Sequence, residues 1–213
     1  MTEPQPVRQH RIHAACYDLI TAPLEREILA PRRTALLTNL SGRVLDVGAG
    51  TGANLPYLRS AAHVVAVEPD ASMRRKLARR VAHTPVPVDL SDAAAESLPF
   101  PDDHFDAVVF TFVLCTVANP QRALAEARRV LKPGGNLVVL EHVRGTARLA
   151  RWQDRITPLW RRLVAGCHPN RDTGAAVQQA GFHWTSIEAF QPIPAWIPAS
   201  PLLQGTAVND RAG

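Results

Sequence analysis

The stretch VLDVGAGTG, Val44 to Gly52, limits the fold more than any other part of this chain. A short β-branched apolar run reads as a buried strand, and glycines at every second position, Gly48, Gly50 and Gly52, then let the chain turn tightly. In a doubly wound sheet, ligands sit beyond the carboxyl ends of the strands, and a glycine loop there lets a ligand approach bare backbone. The spacing is G-x-G-x-G rather than the G-x-G-x-x-G of dinucleotide binders. No Gly-Lys-Ser/Thr follows to cradle a phosphate.

The chain keeps alternating strand and helix patterns. HVVAV, VPVDL, FDAVVFTFV and NLVVLEHV read as further strands. DASMRRKLARRVA starts as a helix at Asp70 and Ser72, and NPQRALAEARRVLKPGG opens at Asn119–Pro120 and closes at Pro133, Gly134 and Gly135. In the tail, ARWQDRITPLWRRLVAGCH and RDTGAAVQQAG read as helical, with HWTSIEAFQ and LLQGTAVND as two last strands. Such alternation predicts an α/β fold, a doubly wound parallel sheet with helices on both faces. Ahead of it, Gln9 to Leu40 is helical in pattern and divided by Pro23 and Pro31. The expected organisation is an N-terminal helical lid or cap over 1–40 and an α/β domain over 41–213.

Composition removes several classes. With 213 residues, 46% of them hydrophobic, the chain can bury a sizeable core, yet no run reaches the ~18 apolar residues a membrane helix needs. The polar start, MTEPQPVRQHRIHAAC, does not read as a signal peptide, so a cytoplasmic address is expected. Cys16, Cys115 and Cys167 are too few and too scattered for a disulfide framework or a zinc site, and no metal is expected. The net charge of +5 comes mainly from arginines on helix faces. Without aromatic-plus-basic interleaving or an added recognition domain, no nucleic-acid partner is expected.

The second strand ends in VEPD, placing Glu68 where a carboxylate can accept hydrogen bonds from two ribose hydroxyls. VLDVGAGTG, VEPD, ESLPFPDDHFDAVV and EARRVLKPGG, in that order, resemble the class I S-adenosylmethionine-dependent methyltransferases, in the small-molecule branch that includes ubiquinone and menaquinone biosynthesis enzymes. The resemblance implies a Rossmann-like seven-stranded sheet with a reversed last strand, S-adenosyl-L-methionine as cofactor and S-adenosyl-L-homocysteine as product. It also implies cofactor contacts from Tyr17, Asp46, Gly48, Ala49, Gly50, Thr51, Gly52, Asn54, Glu68, Pro69, Ala95, Glu96 and Thr111. Many relatives carry Gly-Asp-Ala-Glu where this chain has Ala93, Ala94, Ala95 and Glu96, so the Asp position is alanine and adenine recognition is expected to fall to backbone around Ala95, with Asp89 or Asp92 as the alternative.

FTFVLCTV, LEHV, WQDRITPLW and GCHPNRDT are more particular, and resemble the alkyl-thiol methyltransferases of the microsomal methyltransferase-like group. Those relatives begin with a hydrophobic anchor that has no counterpart here, so no membrane association is carried over. The resemblance implies a small-molecule thiol acceptor, with Tyr17, Cys115, His142, Trp152 and Trp160 at the substrate and His142 and Glu141 as catalytic candidates. Phe110, Phe112, Leu159 and Trp196 are further candidate walls. Methyl transfer from a sulfonium is an in-line displacement, so alignment matters most, and a thiol with pKa near ~8.5 ionises readily. The alternative acceptor is a phenol, quinone or amine, which would need a stronger base. Monomer and homodimer both stay open.

Overall fold

The computed structural model describes residues 24–194 and 196–211. Tyr17 and Cys16 lie outside the described residues, as does most of the expected lid.

Seven strands form one sheet: β1 (Gly42–Val47), β2 (Ala61–Val67), β3 (Val88–Ser91), β4 (Phe105–Thr111), β5 (Leu131–His142), β6 (Phe182–Phe190) and β7 (Leu202–Asn209). Their order is β3-β2-β1-β4-β5-β7-β6. β1 to β5 pair in parallel, whereas β7 runs antiparallel to both β5 and β6. The expected reversed last strand is therefore present, inserted between β5 and β6. The helices are α1 (Ala30–Leu37), α2 (Ala71–Val81), α3 (Pro120–Val130), α4 (Ala147–Leu163) and α5 (Thr173–Gln179).

Central parallel strands are buried on both faces, which explains their unbroken apolar sequences. Leu45, Val47, Val108, Phe110 and Val139 pack on one side with Leu124 and Val130 of α3 and Val177 of α5. The alternate residues, Val44, Val64, Ala66, Val109 and Val138, pack on the other with Leu37 and Leu77. Phe110 is thus a core residue with no exposure, not a pocket wall.

Local capping follows the sequence closely at two helices. Asp70 caps α2 by accepting from the amides of Ser72 and Met73, and Asn119 caps α3 by accepting from Arg122. Three expectations are corrected. Pro31 does not break the N-terminal helix, because a π-turn over Glu25–Leu29 precedes it and widens the register where its missing amide would fall. Pro133, Gly134 and Gly135 do not close α3; they lie within β5 as a bulge, and pairing with β4 jumps from Phe105–Leu131 to Ala107–Asn136. The fourth strand stops at Thr111, since Phe112 adopts φ +59° and turns the chain.

The last strand is locked to the sheet by Asn209, which is fully buried and donates from Nδ2 to the carbonyls of Arg128, Leu131 and Lys132. Its Oδ1 has no partner, so truncation removes donors alone. Asn209→Ala should lower the unfolding free energy by about 1–3 kcal/mol in denaturant titration, the cost of stranding buried carbonyls. A loss below ~0.5 kcal/mol would mean the lock contributes nothing.

Candidate active site

The strand order reverses at β1, so the crevice between the carboxyl ends of β1 and β4 is the place this sheet offers a ligand. The glycine loop sits there. Gly48, Gly50 and Gly52 all have positive φ, at 65°, 59° and 91°. Their reasons differ. A Cβ on Gly48 would come to 2.5 Å from Val113 Cγ2, and one on Gly52 to 2.9 Å from Leu77 Cδ1. At Gly50 a Cβ would meet nothing nearer than the Gly48 carbonyl at 3.9 Å, so this glycine faces open space. Two glycines serve packing and the middle one leaves backbone bare to a ligand.

Glu68 braces the same loop. Its carboxylate accepts from the Gly50 amide at 2.9 Å and the Asp70 amide at 2.8 Å. Burial raises its pKa above the usual carboxylate range, and those two amide bonds oppose the rise. Asp46, at the tip of β1, is completely buried. One of its oxygens accepts from Asn54 Nδ2 at 2.7 Å, and the other, Oδ2, is buried without a partner. Asn54 also donates to Thr111 Oγ1 at 3.0 Å and accepts from Arg33, which in turn pairs with Glu25 at 2.8 Å. Asp46, Asn54 and Thr111 therefore come together beside the loop. Arg33 had no signal in the sequence: one arginine on an N-terminal helix reads as solvated, yet it is 3% exposed and ties α1 to the site.

The other expected residues divide. Ala49 and Thr51 are buried in the loop, and Ala95 is buried in the cluster beside β4. Pro69 is half-buried at the end of β2. Glu96 accepts from the Asn119 amide and so holds the start of α3. Trp152 is 43% exposed and donates to the carbonyl of Trp196, itself 72% exposed; Leu159 is also open to solvent. Trp160 is half-buried beside Cys167.

Beyond β4 lies a second centre. Glu141 is fully buried at the end of β5, and its carboxylate accepts from the amides of Val113, Leu114 and Cys115 at 2.6, 2.8 and 3.1 Å. Burial lifts its pKa to about 6, against the pull of those amides. The sequence reading puts Glu141 facing the acceptor. Instead both of its oxygens are committed beneath the turn after β4, so it is corrected to a brace.

His142, the next residue, lies under Phe112 with ring centroids 4.7 Å apart. Its Nδ1 sits 3.6 Å from Cys115 Sγ and 3.7 Å from Cys167 Sγ. The cysteines judged too scattered for a shared site are thus gathered around one imidazole, because the turn after β4 and the loop after α4 meet there. The interaction between the two neighbouring thiols pushes Cys115 up and draws Cys167 down. Arg171, next to the Asp172 cap of α5, donates to the Leu114 carbonyl and closes the turn from the other side.

Comparison with known proteins agrees with this geometry. A family described as a methyltransferase domain matches residues 45–139. Rat thiol S-methyltransferase TMT1B is 32% identical over 192 residues, 87% of this chain and 78% of the relative. The chain belongs to the S-adenosylmethionine-dependent methyltransferases. Demethylmenaquinone methyltransferase of Clavibacter sepedonicus is 45% identical over 100 residues, 46% of this chain and 40% of that one. The crystal structure of the [4+2]-cyclase SpnF superposes with a TM-score of 0.74 at 21% identity, covering 98% and 97% of the two chains, and shares the fold. S-adenosyl-L-methionine is the cofactor of this methyltransferase. The open face of Gly50 and the stranded oxygen of Asp46 are features such a ligand would fill. Among the described residues, no helix is long and apolar enough to cross a membrane.

Asp46 allows a test by pH. Burial lifts its pKa from 3.8 to about 6, so the folded protein holds a proton there more tightly than the unfolded chain. The cost of that buried charge is absent well below pH 4 and complete above pH 6, where a shift of this size corresponds to about 3 kcal/mol. Asp46→Asn, which keeps an acceptor for Asn54, should stabilise the cofactor-free protein at pH 7 by up to that amount. At pH 4 the gain should fall below about 1 kcal/mol. An equal gain at both pH values, read by denaturant titration, would refute the assignment.

Proposed function

We propose that the protein transfers the methyl group of S-adenosylmethionine to the thiol of a small molecule. One observation carries this reading. Identity with a relative named thiol S-methyltransferase extends over 192 residues, well past the methyltransferase domain at 45–139, and so into the half that carries His142 and Cys167. The higher identity to demethylmenaquinone methyltransferase spans only 100 residues and favours a quinone acceptor less for that reason.

On this reading the Gly48–Gly52 loop holds the methionine and ribose side of the cofactor, with Asp46 supplying its free oxygen. Glu68, whose carboxylate keeps acceptor capacity beyond its two amide bonds, takes the ribose hydroxyls. Phe112, Trp160 and the two cysteines give the acceptor side a soft, apolar lining. Such a lining suits a reaction in which a thiolate meets a sulfonium and both charges disappear. The chemistry asks mainly for in-line alignment and exclusion of water. The enzyme is read as cytoplasmic, and residues 1–40 as its lid.

Glu68→Gln should weaken cofactor binding roughly 10- to 150-fold in titration calorimetry, the range for one charged hydrogen bond; unchanged affinity would remove Glu68 from the site. A methyl-transfer screen with labelled cofactor should give product from alkyl thiols and none from phenols or amines. Product from phenols alone would overturn the thiol assignment.

A further inference from the structure

We infer that Cys115, His142 and Cys167 form a three-ligand site for a thiolate-seeking divalent cation of the zinc class. Its fourth position is open to the sulfur of the acceptor. That last clause rests on the proposed thiol chemistry; the cation site does not.

The first support is distance. Zinc bound at about 2.3 Å to sulfur and about 2.05 Å to imidazole nitrogen sets tetrahedral sulfur and nitrogen donors roughly 3.6 Å apart. Here Nδ1 of His142 lies 3.6 Å from Cys115 Sγ and 3.7 Å from Cys167 Sγ, and the three donor atoms lie within 4.8 Å of one another. Both nitrogen-to-sulfur edges match that tetrahedron, and the two sulfurs lie close enough, within 4.8 Å, for one cation to bridge them. Two cysteines and one histidine are a donor set suited to zinc when one position is kept for substrate.

The second support is rigidity. Cys115 is fixed by the bond of its own amide to Glu141. Its carbonyl accepts from the His168 amide at 2.7 Å, which ties the Cys167 loop to the Cys115 turn. His142 stands at the end of β5 with its ring under Phe112. Each ligand is thus held by an element that does not depend on the cation, as a preformed site requires.

The third support is a buried donor. The indole Nε1 of Trp160 is buried beside Cys167. A thiolate held on a cation is a strong acceptor for it. Charge also closes. Two thiolates and the Glu141 carboxylate offset a divalent cation and the guanidinium of Arg171, which faces Cys115, Glu141 and Cys167. Redox pairing of the cysteines would instead withdraw both sulfurs from His142.

An acceptor thiol entering the fourth position loses its proton to solvent, because coordination deprotonates a thiol outright. Its sulfur then attacks the methyl carbon. The new S–CH3 bond forms as the bond to the sulfonium sulfur breaks, and neutral S-adenosylhomocysteine leaves.

The test uses the full chain purified under reducing conditions without chelator. Elemental analysis should give one zinc per chain. Cobalt(II) added to the zinc-stripped protein should produce thiolate-to-cobalt charge-transfer absorption, which shifts when ethanethiol is added. Cys115→Ser, Cys167→Ser and His142→Ala should each weaken cobalt binding at least about tenfold, whereas His142→Cys should restore it. Retained cofactor affinity in calorimetry identifies the variants that fold. Absence of cobalt charge-transfer bands in wild type, or two thiols missing from a denatured thiol titration until reduction, overturns the site. Unchanged ethanethiol methylation by zinc-free enzyme overturns the role of the cation and leaves the thiol assignment standing. A cobalt spectrum without any thiol methylation supports the site and fails the assignment instead.

Discussion

The carboxylate of Glu141 gathering three successive amides is the interaction on which both halves of this site depend. The amides of the turn it holds, Val113 to Cys115, are taken up by this side chain, and a buried amide without an acceptor costs about 1–3 kcal/mol. One buried acid satisfies three such groups at once. The same turn begins at Phe112, whose φ of +59° is unfavourable for a bulky side chain and persists only because its neighbours fix it. Val113 then presses on Gly48 so closely that no side chain fits there. Cys115 is delivered to His142 by the same turn. The glycine loop and the sulfur cluster are thus two ends of one braced segment.

The sheet was largely legible in the sequence because its strands are buried on both faces and read as continuous apolar runs. Helix starts at Asp70 and Asn119 were legible for a local reason: a side-chain acceptor two or three residues ahead of free amides is visible in the chain itself. The failures were non-local. Pro133, Gly134 and Gly135 look like a helix stop, and only the pairing of β5 with β4 turns them into a bulge.

The site divides along the same line. Gly48, Gly50, Gly52 and Glu68 form a local motif and were readable. Cys115 and Cys167 lie far apart in the chain, and nothing in their spacing announces that the turn after β4 and the loop after α4 converge on His142. Arg33 is the harder case. Arginines on helices are usually solvated, and its burial against Glu25 and Asn54 follows from how α1 docks on the strand ends.

Electrostatics gives the arrangement a direction. The chain as a whole carries a net charge of +5, yet the glycine-loop crevice concentrates buried acids, Asp46 and Glu68, both with pKa values raised by burial. Arg33 and Arg74 offset these charges only in part, so burial still makes the ionised acids a liability to the folded protein. S-adenosylmethionine carries a fixed sulfonium charge that its demethylated product lacks. On the proposed reading, a site destabilised until a cation arrives favours that cofactor over the product. The field is local, because the protein's overall positive charge cannot draw a cationic ligand from a distance. On that reading the discrimination rests on Asp46, since Glu68 takes the ribose hydroxyls that cofactor and product share.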